Sequence, residues 1–352
     1  MKEKFRQTIQ MVKEKISKEY FPAVKTRVIK LYNAGRDFFK KGMEHTPEWK
    51  NGIVAFILKW WHLAAGVLFA FIVLYYPVGA FLTHHIDVDL DFASSRSDER
   101  GSVLPGTLSA LIEREISVHT FTPNKPFFSL SAVLDDMPAF QTGIITGVRN
   151  AVRILSVVNA QSEKLTGAAE RLSYPANIWH IEKWKPAVSS VKKYKKAQEL
   201  LTAYQKNTAE ETETYNRSVE AMRSIVEQII QDTEHMTDLL DSTVRSGAKK
   251  VWFFKADDRF YAVKGWAYVY LLILRDLKKD FAGIFDDEKL EHYRRNAESF
   301  LRQAVLLRPV FVANGSPESQ MVPNHLLNAG FYLSRAVSEL KELENALQAE
   351  NE

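Results

Sequence analysis

"LKWWHLAAGVLFAFIVLYYPVGAFLTHH", residues 58–85, sets the layout of everything around it. From Leu63 to Leu82 run 20 consecutive residues with no charge and no strongly polar side chain. At about 1.5 Å of helical rise per residue, such a run reaches roughly 30 Å, the hydrocarbon thickness of a bilayer. Trp60 and Trp61 stand at one end, and Tyr75 and Tyr76 lie toward the other. Amphipathic rings of this kind settle at the headgroup level, and Lys59 can lay its methylenes along the apolar stretch with its ammonium at the interface. Pro77 comes late, where freed backbone groups can find water. A cleaved signal peptide fits poorly, because its charged region would be about 50 residues long and no A-x-A-like site follows. The expectation is a retained transmembrane helix within residues 52–83.

Charge then divides the chain. Residues 1–51 carry 13 Lys and Arg against 6 Asp and Glu, while everything after residue 83 carries 33 against 37. The overall formal charge of +4 is therefore a property of one flank of the apolar run, and it gives no reason to expect nucleic acid. Basic residues beside a span stay in the cytoplasm, so the expected topology is N-terminus in and C-terminal domain out. The chain has no cysteine, which excludes disulfides, thiolate zinc sites and a thiol nucleophile. A domain of about 270 residues supports its own core without such staples.

In the cytoplasmic arm, residues 1–51, Phe5, Ile9, Val12, Ile16, Tyr20, Val24, Val28 and Leu31 recur at steps of three and four among lysines and arginines. This pattern predicts an amphipathic helix over residues 1–44, broken near Pro22 and Gly35. Residues 1–50 would lie on anionic lipid headgroups, or pack on a partner. On the other flank, residues 84–103 read as an extended stalk next to the membrane. His84, His85, Asp87, Asp89 and Asp91 resemble a metal cluster on paper. Neighbouring histidines cannot both face the carboxylates, however, and no further ligand returns at a fixed spacing.

Residues 104–352 read as helical almost throughout. Residues 189–245 form the longest regular stretch, with Tyr194, Leu201, Tyr204, Tyr215, Met222, Ile229 and Met236 on a coiled-coil-like seam that Thr208 and Glu211 weaken. The stretch is either one long helix, offering Tyr215, Met222, Ile229 and Met236 to a partner protein or a second copy, or a hairpin folded near Asn207. "FYAVKGWAYVYLLIL", residues 260–274, is too short to span and is interrupted by Lys264, so a core helix capped by Asp257 or Asp258 is expected. A break at Pro138 should separate one helix from the next, and two more are expected over about residues 286–307 and 322–347. The fold class is all-α: one transmembrane helix, then an extracytoplasmic helical bundle containing a long coiled-coil-like helix or hairpin.

"GSVLPGTLSALIEREI", "PFFSLSAVLDDMPAFQTGI", "DDRFYAVKGWAYVYLLILRDL" and "PNHLLNAGFYLSRA" resemble the bacterial family called domain of unknown function 2333. The resemblance extends from about residue 60 onward. It implies an inner-membrane protein with a cytoplasmic arm, one span and a periplasmic helical domain. These motifs carry no known chemistry. The lysine-rich arm is longer and more charged than the family pattern.

No phosphate-binding glycine loop, zinc-protease helix or nucleophile elbow is present in the sequence. His180 and Glu182, in "NIWHIEKW", could form an acid/base pair, but no nucleophile stands near them in sequence. His325 follows Asn324, whose presence a helix N-cap explains. The pairs Asp135–Asp136 and Asp257–Asp258 could form a carboxylate couple, although aspartate is ordinary at helix starts. No cofactor is implied. Three functions stay open: an interaction or scaffold module for membrane or periplasmic partners, an envelope hydrolase acting on glycan or peptide, and a sensor signalling through the span.

Overall fold

A computed structural model describes isolated residues between positions 30 and 79, and then residues 86–93, 101–126, 129, 135–160, 162–182, 185–246, 254–309, 311–316 and 322–349. The chain divides into two compact units, Met1–Tyr75 and Tyr76–Glu352. In the first unit, the described residues of the apolar run (65–71, 74 and 75) are helical, as are Trp60 and Trp61. Among the described residues no helix is long and apolar enough to cross a membrane. Val78 and Gly79 are helical too, whereas the remaining residues of the run, Lys59, Tyr76, His84, His85 and nearly all of the amphipathic arm lie outside the described residues.

Among its described residues the second unit is all-α apart from a hairpin of two-residue strands and one isolated bridge. Its helices are α1 (Val103–Glu113), running into a π-turn at Arg114–Val118, α2 (Asp136–Val158), α3 (Glu163–Leu172), α4 (Ser190–Ala209), α5 (Val219–Ser246), α6 (Phe254–Asp280), α7 (Glu288–Leu306) and α8 (His325–Ala349). Strands β1 (Ile181–Glu182) and β2 (Lys185–Pro186) pair antiparallel between α3 and α4. Pro138 opens no new helix. It sits in the first turn of α2, where its missing N–H would have had no partner anyway.

Helix α6 lies at the centre, in contact with α1, α2, α5, α7 and α8. Its residues from Tyr268 to Leu274 are all buried, and a helix apolar on every side has to be surrounded. This is the short apolar stretch expected to be a core helix, and Lys264 is accommodated there by donating to the Leu307 carbonyl at the end of α7, at 2.6 Å. Asp280, near the end of α6, accepts from the Val103 and Leu104 N–H groups at 2.7 and 2.9 Å. It thereby satisfies the start of α1, for which Ser102 makes no side-chain cap.

The stretch 189–245 is two helices, as the weak middle of its seam suggested, but they do not depend on each other as a simple hairpin would. Helix α4 packs on α1 and α3, whereas α5 packs on α8, α6 and α2. Between them Glu211 takes a left-handed conformation with φ 56°, and the Asn207 carbonyl accepts from Thr212 and Glu213 N–H groups. The seam side chains therefore enter this chain's own core: Met222 and Met236 are 0% exposed and Ile229 1%.

Residues 86–92 are not a free stalk. Ile86, Val88, Leu90 and Phe92 alternate along the segment and pack on the helical core. The Tyr268 hydroxyl donates to the Asp89 carbonyl at 2.6 Å and Arg275 Nη1 to the Leu90 carbonyl at 3.0 Å. Arg114 sits 4.6 Å over the Phe92 ring and 3.5 Å from the Asp87 carboxylate.

Candidate functional site

Glycines decide how α2 and α6 meet. A Cβ placed on Gly143 would stand 2.0 Å from the Ala262 carbonyl oxygen, and one on Gly265 would stand 2.1 Å from the Phe140 carbonyl oxygen. The backbones touch because neither residue has a side chain. Contacts advance in the same sense along both helices, from Phe140 and Gly265 to Gly147 beside Val269. Helices that run the same way bring their N-termini together, and with them their first-turn acids.

Asp135, the N-cap of α2, accepts from the Asp136 N–H at 3.1 Å. Across the crossing, Asp257 and Asp258 lie in the opening turns of α6 rather than at its cap. Carboxylate oxygens of Asp135, Asp136 and Asp257 lie within 4.8 Å of one another. Carboxylates this close repel one another as anions, which favours the protonated form of Asp257. Burial first, then the Asp136 charge and a hydrogen bond with Asp136, then Asp135 and Asp258, push Asp257 up to about 7. Burial and the Asp135 charge also raise Asp258, with Arg259 opposing them.

Asp135 and Asp258 line a cleft of about 700 Å³, together with Thr142, Asn177, Lys255 and Arg259 among others. Two capabilities follow from this donor set. Three carboxylates at that separation can take a hard divalent cation, and a carboxyl poised near neutrality can give or accept a proton.

The two aspartate pairs named from sequence thus form one site, while the other candidates are scattered. His180 is exposed, its ring 5.1 Å from that of Trp179; Glu182 lies in β1, and its side chain is outside the described residues. His325 Nδ1 accepts from the Ala313 N–H at 3.0 Å, and burial holds its pKa below the usual imidazole value. Asn324 caps α8 by accepting from the Leu327 N–H at 2.9 Å. Asp87, Asp89 and Asp91 do not converge on a metal: Asp87 faces Arg114, and Asp89 Oδ1 accepts from the Asp91 N–H. Tyr215, Met222, Ile229 and Met236 are buried within the fold and present no surface to a partner. The clue that sequence reading passes over is "GIITG", residues 143–147, a spacing of small residues suited to close helix crossing.

Fold and site define an all-α helical protein with an acidic cleft where two helix starts meet. Residues 213–350, covering α5 to α8, match the family described as an uncharacterized protein conserved in bacteria (DUF2333), the same family that the sequence motifs resemble. Two of those motifs, at residues 101–116 and 126–144, precede the matched region. No curated protein and no solved structure matches the chain.

Proposed function

We propose that this chain is a single-pass bacterial inner-membrane protein whose periplasmic helical domain is an interaction or scaffold module for membrane or envelope partners. The observation that carries the reading is the clamp on residues 86–92. In sequence, three residues separate Leu82, the last of the apolar run, from Ile86, the first residue packed on the helical core. A domain gripped so soon after a span works at the bilayer surface and has little room to roam. The basic arm, on the opposite side, would add attraction to anionic headgroups.

Topology and partner are tested separately. Alkaline phosphatase fused after Glu352 should be active in cells. Cross-linking before detergent extraction should capture a stoichiometric membrane or envelope protein, and lose it when the domain after residue 86 is deleted. An inactive phosphatase fusion refutes the topology. Capture that is indifferent to the domain refutes the scaffold role.

A second reading, an envelope hydrolase acting on glycan or peptide, is favoured by the raised carboxyl of Asp257 among acids beside a cleft. Hydrolysis of cell-wall fragments by purified protein, abolished in Asp257→Asn, would establish it. Equal turnover by that variant would dismiss it.

A further inference from the structure

At the opposite end of α2 from the acidic cleft lies a second cleft, of about 580 Å³, between α2 and α3. Its walls include Arg149 and Arg153, the hydroxyls of Ser156, Thr166 and Ser173, and one carboxylate, Glu170. Arg149 and Arg153 are four apart on one helix, so their guanidinium groups share a face and reach the same space. Among the described residues, Arg114 pairs with Glu115, Arg245 with Asp241, Arg275 with Asp276 and Arg294 with Glu291, while Arg171 and Arg217 donate to main-chain carbonyls.

Arg149 and Arg153 lack such an ion pair. Arg149 Nε donates to the Asn150 side-chain oxygen at 3.3 Å, and among the described residues neither guanidinium is ion-paired. On α5, Asp232 is committed elsewhere. It accepts from Asn150 Nδ2 at 2.9 Å and from the Tyr270 hydroxyl. Ser156 and Thr166 hydroxyls lie 2.8 Å apart across the α2–α3 gap, in the same cleft as the arginines. Two forked cations with spare N–H groups, hydroxyl donors beside them and a concave wall are the components that recognise a tetrahedral oxyanion.

We propose that the α2–α3 cleft binds a phosphate group through Arg149 and Arg153, with Glu170 at its wall weakening the attraction. The phosphate can come from a soluble phosphate ester or from a phospholipid headgroup, since both present the same oxygens to the arginines.

Calorimetric titration of the full chain in detergent micelles tests this with three probes: inorganic phosphate, monomeric short-chain phosphatidylglycerol, and short-chain phosphatidylcholine as a zwitterionic control. Saturable binding of phosphate assigns a soluble ester. Binding of phosphatidylglycerol without phosphate or phosphatidylcholine assigns a lipid headgroup. In either case the double variant Arg149→Gln/Arg153→Gln should weaken binding by roughly 10- to 100-fold, the usual scale for losing charge-assisted hydrogen bonds. Glu170→Gln should tighten it, and a circular dichroism melt should confirm that each variant is folded. No saturable binding of either phosphate-bearing probe overturns the proposal, as does binding that the folded double variant retains.

Discussion

Replacing Gly143 by alanine sets two physical effects of opposite sign against each other. Alanine is the better helix former, and in an open helix the change would stabilise by about 1 kcal/mol. At Gly143 the new methyl would meet the Ala262 carbonyl oxygen at 2.0 Å, where ordinary contact begins at 3.4 Å. The obstacle is backbone on the neighbouring helix, so α2 and α6 must separate by about 1.4 Å rather than rotate a side chain. Separation loosens the most extensive helix pair in the fold. Overpacking of this kind costs about 1–3 kcal/mol and more where backbone must yield, so the net expectation is a loss of about 2 kcal/mol. For a domain of this size that lowers the melting temperature by about 4–8 °C. Gly330 in α8 is the control, because a methyl there meets nothing within 4 Å; Gly330→Ala should melt at or above the wild type. Both variants are read by thermal and urea unfolding, followed by circular dichroism. If Gly143→Ala is as stable as Gly330→Ala, the close crossing is not what holds the two helix starts together.

Three further outcomes are expected. Asp257 has a pKa in the fold of about 7 against an ordinary 3.8, so the folded state keeps a proton that the unfolded chain has released between those values. Its contribution to stability is therefore present below about pH 4 and lost as the pH rises through 7, and Asp257→Asn should flatten the fall in melting temperature across that window. A wild-type melt that does not fall between about pH 4 and 7, or one that falls equally in the variant, would contradict the raised Asp257 carboxyl. Ile229→Glu puts a charge into the core between α5 and its neighbours and should cost more than about 4 kcal/mol, seen as loss of the cooperative melt; an unchanged melt would mean that α5 does not pack inward at that position. A soluble piece beginning at residue 86 should be more stable than one beginning at residue 100 by about 3 kcal/mol, because the shorter piece leaves the seats of Val88, Leu90 and Phe92 empty; equal urea midpoints would show the clamp to be idle.

Much of the helical layout is local chemistry and is legible in order along the chain. The three-and-four alternation finds α5, α7 and α8, and the short apolar stretch around Gly265 is correctly a core helix because it is too short to span. Thr208 and Glu211 mark the break between α4 and α5, since a polar interruption on an apolar face removes the reason to continue a helix. What the alternation does not contain is which partner each face meets. Met222 and Ile229 look the same whether the facing helix belongs to this chain or to another, and the answer depends on a neighbour about 100 residues away in sequence, α8. The acidic site has the same character. Each aspartate pair is visible as an ordinary helix start, but their meeting depends on a parallel crossing set by Gly143 and Gly265, and that is a property of two segments at once. Residues 86–92 pass for a stalk for a related reason: alternate polar residues describe an edge strand and a segment laid over a helical core equally well.

The clamp on residues 86–92 is asymmetric in what it asks of each side. Tyr268 and Arg275 hold the leading segment by the carbonyl oxygens of Asp89 and Leu90, which every amino acid possesses, whereas the gripping hydroxyl and guanidinium belong to particular side chains. Over generations, position 89 is free to exchange polar residues without loosening the hold, so long as the apolar alternation at 86, 88, 90 and 92 persists. Tyr268, Arg275 and Arg114 have no such latitude, and variation among relatives should collect on the held segment and spare the hand that holds it.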